Sequence, residues 1–238
     1  MDNCFVKDTC GIYDKENKTC KYMSANECYK CNRMFRLNKL FDSALLSNSQ
    51  REYVPLFCDG DGSDRKEFAE LGTILNNIDY FVKNGYNLYI HSCVCGNGKT
   101  SWALRFIQRY FSSIWKYADI NKCHALFINV PRFLLALKDN ISEKSDYVSY
   151  IKANILNADI VVWDDIGTKT ITQFEAENLL SMIDVRMNDN KSNIFTSNMS
   201  NEELYEVLGQ RLASRVINFS EVKEFKGMDK RKYKFGRE

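Results

Sequence analysis

A short apolar strand around Leu88, Tyr89 and Ile90 runs straight into a loop ending Gly96, Asn97, Gly98, Lys99, Thr100, and this stretch constrains the fold more than any other. Gly96 and Gly98 carry no Cβ, so the loop backbone can curl until several N–H groups point inward at a phosphate chain. Lys99 supplies a mobile cation and Thr100 a hydroxyl for Mg²⁺. The residues that follow place Trp102, Leu104, Phe106, Ile107, Phe111 and Ile114 at helical spacing, which sets a positive helix N-terminus beneath those phosphates. The pattern G-x-x-x-x-G-K-[ST] departs at one place, where Cys93 replaces the first glycine. The loop accepts that change if residue 93 keeps a negative φ.

A second motif lies between Ala158 and Gly167, an uninterrupted apolar run that ends in Asp164 and Asp165. Such a run fits a central parallel strand buried on both faces, with its carboxylates emerging where α/β sheets put ligands. Asp164 is expected to orient Mg²⁺ through its water shell and Asp165 to polarise the attacking water. Ser192 to Asn198 reads as another buried strand with a polar tip, and Asn198 would sit beside the two acids. Gly209 to Ile217 sets Arg211 and Arg215 four apart on one helical face, an arrangement that by itself is more often solvated or salt-bridged than catalytic.

Taken in order, these motifs and the late Lys226, Gly227, Met228, Asp229, Lys230, Arg231 resemble the AAA+ ATPases that load replicative helicases, of the DnaC/DnaI type and especially its shorter phage and prophage versions. The resemblance covers about Leu71 to Arg231. It implies ATP and Mg²⁺ as ligands, a replicative DNA helicase and single-stranded DNA as partners, and a homo-oligomer or a helicase-templated ring. It also implies that Asn198 is similar to the sensor-1 residue, Arg215 to the arginine finger that reaches a neighbouring subunit, and Arg231 to the sensor-2 arginine, with Arg211 as the other candidate finger. Most of the family carries Asp-Glu where this chain has Asp164 and Asp165. The shorter carboxylate stands farther from the water, so weak hydrolysis is expected.

Nine cysteines need a reason in a reducing compartment, and five of them crowd the first 31 residues. Cys28 and Cys31 form one two-residue-spaced pair able to chelate a single ion. The expected zinc set is Cys10, Cys20, Cys28 and Cys31, with Cys4 as substitute for Cys10; disulfides and free thiols remain open. Metal would also let so short and polar a segment fold. Loaders of the DnaI type carry an N-terminal zinc module that contacts the helicase, so the resemblance implies that role here. Cys58, Cys93, Cys95 and Cys123 read as ordinary small residues, though Cys93 and Cys95 would make the loop sensitive to oxidation.

The 238 residues suffice for one α/β domain plus a small appendage. The expected organisation is a cysteine-rich zinc module over 1–45, a connector over 46–66, and an AAA+ P-loop domain over 67–238 with a parallel sheet flanked by helices. Apolar spacing from Phe68 to Val82 predicts one helix closed by Asn84 and Gly85. Ala125 to Val130 predicts a strand, Pro131 a helix start, and Gln173 to Arg186 a further helix. Asn38 to Ser63 lacks periodicity and reads as connector. The run Asp59 to Asp64 is only superficially like a calcium loop, because Asp64 stands where the central glycine belongs, and it reads better as a turn capping the next helix.

No segment approaches the roughly 18 consecutive apolar residues of a spanning helix, and no signal pattern opens the chain, so a cytoplasmic protein is expected. The net charge of +2 does not argue for nucleic acid, while Lys226, Lys230, Arg231, Lys232, Lys234 and Arg237 make the C-terminus locally basic. The chain ends soon after Arg231, so a full helical lid is not expected. Three functions follow. The first is ATP-dependent loading of a replicative helicase. The second is help to a transposase by an IstB-type ATPase, and the third a nucleotide-binding module without turnover.

Overall fold

Four of the apolar runs, and one segment without such a run, become parallel strands of a single sheet. The computed structural model describes residues 10, 13–14, 16–17, 19–20, 28–53, 55–58, 62–140 and 142–230. A two-residue hairpin, β1 (Tyr13–Asp14) with β2 (Thr19–Cys20), precedes helices α1 (Tyr29–Ser43), α2 (Asn48–Arg51), α3 (Arg65–Asn76) and α4 (Ile78–Lys83). Strand and helix then alternate through β3 (Asn87–His91), α5 (Lys99–Ile114), β4 (Ala125–Asn129), α6 (Val130–Asp139), α7 (Asp146–Asn154), β5 (Ile160–Asp164), α8 (Gln173–Asn188) and β6 (Ser192–Ser197). The described chain closes with α9 (Asn201–Leu208), α10 (Gln210–Asn218) and β7 (Glu221–Glu224).

The sheet order is β4-β5-β6-β3-β7, with every neighbouring pair parallel. Every residue of β5 and of β6 is buried, as continuous apolar runs require when helices cover both faces. One core, around Phe106, Ile107, Phe111 and Ile194, lies under α1, α3, α4 and α5. The other, around Trp163, Phe133, Leu179 and Phe195, lies under α6 to α10. The loop-bearing strand β3 is therefore held on both sides, by β6 and by the edge strand β7, and the loop emerges at its carboxyl end.

Four elements differ from the sequence reading. The helix expected from Phe68 to Val82 is divided at Asn77, whose side-chain amide donates to the Thr73 carbonyl at 2.9 Å and so competes with the helical ladder. The β4 strand stops one residue early because Asn129 caps α6, its Oδ1 accepting from the Arg132 N–H at 3.2 Å. Asn38 to Ser63 is not all connector. It holds the end of α1 and all of α2, and Leu40, Ala44 and Leu46 are buried in the core beneath α5. Two side-chain pairs fix α1 there, Tyr29 on Trp115 with ring centres 5.2 Å apart and Phe41 on Phe111 at 5.5 Å. Edge strand β7 went unpredicted because Glu221, Lys223 and Glu224 hide it behind charge, a composition that suits an edge.

Candidate nucleotide site

The phosphate loop is pinned from within. Ser92 Oγ accepts the Asn97 side-chain amide at 2.6 Å and the Val94 N–H at 3.0 Å, and Asn97 is fully buried. Gly96 and Gly98 adopt φ of 78° and 106°, which L side chains rarely reach. Cys93 is absent from the non-glycine residues with positive φ, Leu45, Asp165 and Asn190, so the missing glycine costs no backbone strain. Lys99 opens α5 and curls back over the loop. Its Nζ donates to the Val94 carbonyl at 2.9 Å, to Asn97 Oδ1 at 3.2 Å and to the Ser92 carbonyl at 3.4 Å. Burial pushes its ammonium below the usual lysine range, with the neighbouring Cys95 and Asp165 opposing that shift.

The paired acids meet this loop from β5. Asp164 Oδ1 accepts from Thr100 Oγ1 at 2.9 Å and from Thr196 Oγ1 at 2.8 Å. Burial, with the adjacent Asp165 charge, raises Asp164 to about 6, despite hydrogen bonds from Thr196, Thr100 and Asn129 that favour the carboxylate. Asp165 takes φ of 58° and donates its N–H to Thr196 Oγ1 at 3.0 Å, which turns its side chain out of the strand line. Asn198, just past β6, donates from Nδ2 to Asp165 Oδ1 at 3.2 Å. The sequence-predicted Gly96, Asn97, Gly98, Lys99, Thr100, Asp165 and Asn198 all line one cleft of about 600 Å³, with Asp164 at its floor through Thr100. That volume suits a nucleotide.

Sequence reasoning missed the other walls. Pro55, Leu56, Phe57 and Phe68 form an apolar side, and Lys230 closes the cleft from the C-terminal segment. Motif spacing gave no signal for the apolar side, which comes from two separate stretches, whereas Lys230 belongs to the late basic motif. The residues fit ATP with Mg²⁺: a glycine-bounded loop around a buried ammonium, a hydroxyl paired with a carboxylate, and an apolar wall for a base.

The arginines lie elsewhere. Arg215 donates from Nε to Asp184 Oδ1 on α8 and stacks on the Phe219 ring 4.9 Å away, while Arg211 is exposed. Neither lines the cleft of its own chain. Arg231 lies outside the described residues.

The expected zinc site is not assembled among the described residues, where no group of three or more His, Cys, Asp or Glu could hold a metal. Cys10, Cys20, Cys28 and Cys31 form no disulfide among the described residues, and Cys4 lies outside them. Cys28 and Cys31 share the first turn of α1, where a hydrogen bond from the Cys31 main chain lowers the Cys28 thiol pKa, but no third ligand joins them. As placed, these residues do not fit a tetrahedral zinc. No described helix is long and apolar enough to cross a membrane.

Comparison with known proteins agrees with this geometry. The replicative helicase loader DnaC of Escherichia coli (strain K12) is 25% identical over 91 residues, 38% of this chain and 37% of that protein. The aligned stretch thus spans little more than a third of the curated relatives it matches. The crystal structure of the DnaC helicase loader gives a TM-score of 0.57 at 21% identity, covering 73% of this chain and 94% of that one. The crystal structure of DnaI gives 0.57 at 17% identity, covering 79% and 95%. At such identities the likeness is one of fold alone, an α/β fold with a parallel sheet flanked by helices. Residues 33–234 match the family described as IstB-like ATP binding protein, and every residue lining the cleft falls inside that span, so the chain belongs to that ATP-binding family.

Proposed function

We propose that this protein binds ATP with Mg²⁺ in the cleft, hydrolyses it slowly, and uses that cycle to place a replicative DNA helicase on single-stranded DNA. The observation that carries the ATPase part is the convergence on one cleft of Lys99, at the start of α5, with Asp164, Asp165 and Asn198 at the carboxyl ends of β5 and β6. Lys99 would hold the β- and γ-phosphates, and Thr100 with Asp164 would hold Mg²⁺, which supplies charge neutralisation at the phosphate oxygens when bound. Asp165 would orient and polarise the water, with Asn198 fixing its carboxylate. Arg215 would act on a neighbouring copy, which is consistent with its distance from its own cleft.

The loader part is supported by the fold shared with DnaC and DnaI and by the aligned stretch of DnaC. The cysteine-rich segment 1–45 is the proposed helicase-contacting part, and elemental analysis of purified protein tests whether its cysteines carry zinc. The basic C-terminus is the proposed DNA-facing part, although Lys230 is turned into the cleft. The experiment is the ATPase rate with and without single-stranded DNA and a replicative helicase. Stimulation by the helicase supports loading, and an indifferent ATPase removes it.

The family match favours a second reading, help to a transposase. Co-purification with a transposase rather than a helicase would select it. If Asp165→Asn protein loads helicase as well as wild type does, turnover is dispensable and the protein is a nucleotide-binding module.

A further inference from the structure

Asp64 occupies the N-cap of α3, yet its carboxylate caps nothing in that helix. It is fully buried and reaches the other end of the chain instead. Oδ1 accepts the Lys226 N–H at 2.7 Å, both carboxylate oxygens accept the Gly227 N–H at 3.1 Å, and Lys230 Nζ stands 3.8 Å from Oδ2. A buried carboxylate is tolerated only when its oxygens are so filled.

Residues 225–230 therefore form a strap across the mouth of the phosphate loop. At one end the Phe225 N–H donates to the His91 carbonyl at the tip of β3, at 2.8 Å; at the other the Lys230 N–H donates to the Gly96 carbonyl inside the loop, at 3.0 Å. The Phe225 ring packs on Phe68, 5.5 Å between centres, and Phe68 packs edge-on against Trp102 of α5 at 5.2 Å. Lys230 Nζ lies 4.5 Å above the Phe68 ring, and both residues line the nucleotide cleft.

We propose that Asp64 is a positioning residue of the nucleotide site: it clamps the strap so that Lys230 holds Gly96 through the main chain and presents a second ammonium to the cleft besides Lys99. The proposal rests on the reading of the cleft as a nucleotide site. A loop held in its binding shape loses less freedom when nucleotide enters, and a second cation favours the polyphosphate. Asp64→Asn keeps the size but sets an NH₂ group against the strap N–H groups.

The test measures binding of a fluorescent ATP analogue with Mg²⁺ to the full chain as wild type, Asp64→Asn, Lys230→Gln and the double variant. Asp64→Asn is expected to bind at least about tenfold more weakly and Lys230→Gln about threefold, with the double variant within about twofold of Asp64→Asn because both changes act through one strap. Hydrogen exchange of Asp64→Asn should speed up at residues 96–99 and 226–227 while β5 stays protected, a local pattern that general destabilisation does not give. Asp64→Asn binding within twofold of wild type, or exchange rising equally across the sheet, overturns the clamp. If Asp64→Asn does not fold, Lys230→Gln decides alone, and wild-type affinity there overturns it. Wild-type protein that binds no analogue overturns the nucleotide reading and the clamp together, whereas failure of the clamp alone leaves wild-type binding of the analogue intact.

Discussion

Thr100 Oγ1 donates to Asp164 Oδ1 at 2.9 Å, joining the end of the phosphate loop to the end of β5 across 64 residues of chain. The contact places a hydroxyl and a carboxylate side by side where a divalent cation needs two oxygens. Asp164 is raised to about 6, chiefly by burial. Below that pH it takes up a proton and cannot ligate a cation. Affinity for ATP with Mg²⁺ should therefore fall between pH 7.5 and 5.5, while binding in EDTA stays much flatter. A calorimetric titration at several pH values checks this, and equal slopes with and without Mg²⁺ would remove Asp164 from the metal site. The sign for the metal-free protein is opposite: a folded pKa above the unfolded one gives a contribution present below about 3.8 and lost as pH rises through about 6.

Lys99→Met tests the loop itself. Three oxygens hold the ammonium where phosphate would replace them. Wild-type protein should gain about 2.7 kcal/mol of stability at a ligand concentration of about 100 Kd. Lys99→Met should lose that gain while keeping its ligand-free melting temperature within a few degrees, since burial already disfavours its charge. Thermal melts with and without ATP give both numbers. An unchanged shift in the variant means the cleft holds no phosphate chain.

The motif residues of this cleft were legible in the sequence because each belongs to a contiguous run, strand then loop or strand then acid pair, whose local chemistry is complete in ten or so residues. Asp64 was legible only as a turn residue, because its partners Lys226 and Gly227 are more than 160 residues away and main-chain N–H groups leave no mark on sequence. The α1 helix was hidden for a similar reason. Its cysteines drew attention to metal, whereas Leu37 and Leu40 on the same helix, and Ala44 at its C-cap, pack into the core beneath α5. Asn77 shows the limit of periodicity, since the apolar spacing continues through the break that its side chain makes.

Arg215 offers a prediction across subunits. It is held by Asp184 and Phe219, outside its own cleft. Arg215→Ala should leave ATP affinity within about twofold and lower helicase-stimulated hydrolysis at least about tenfold, as loss of a trans-acting arginine does. Steady-state rates at saturating ATP measure it. Retained stimulation would exclude Arg215 as the finger and turn attention to the exposed Arg211.

At the opposite end of the sheet, Asp159 gathers charges that should make stability depend on pH. His124 Nδ1 lies 2.9 Å from Asp159 Oδ2, and His124 Nε2 lies 3.1 Å from the Asp119 carbonyl, so both ring nitrogens face acceptors and the doubly protonated ring fits. The hydrogen bond to Asp159 raises the histidine pKa against the effect of burial. Burial alone would raise Asp159, but hydrogen bonds from His124, Lys191 and Tyr110 outweigh it and hold the carboxyl at about 2. A histidine raised in the folded state contributes stability fully present below its unfolded pKa of about 6.5, and lost as pH climbs through the folded value. The lowered aspartate contributes above about 3.8 and loses that contribution as pH falls towards about 2. Unfolding free energies from urea titrations should thus decline from pH 6 to 8 by an amount on the order of 1 kcal/mol, because the pair is partly exposed. His124→Gln should flatten that decline. An identical slope in wild type and His124→Gln would show that the pair adds nothing to stability, and Asp159→Asn should then leave the neutral range unchanged as well.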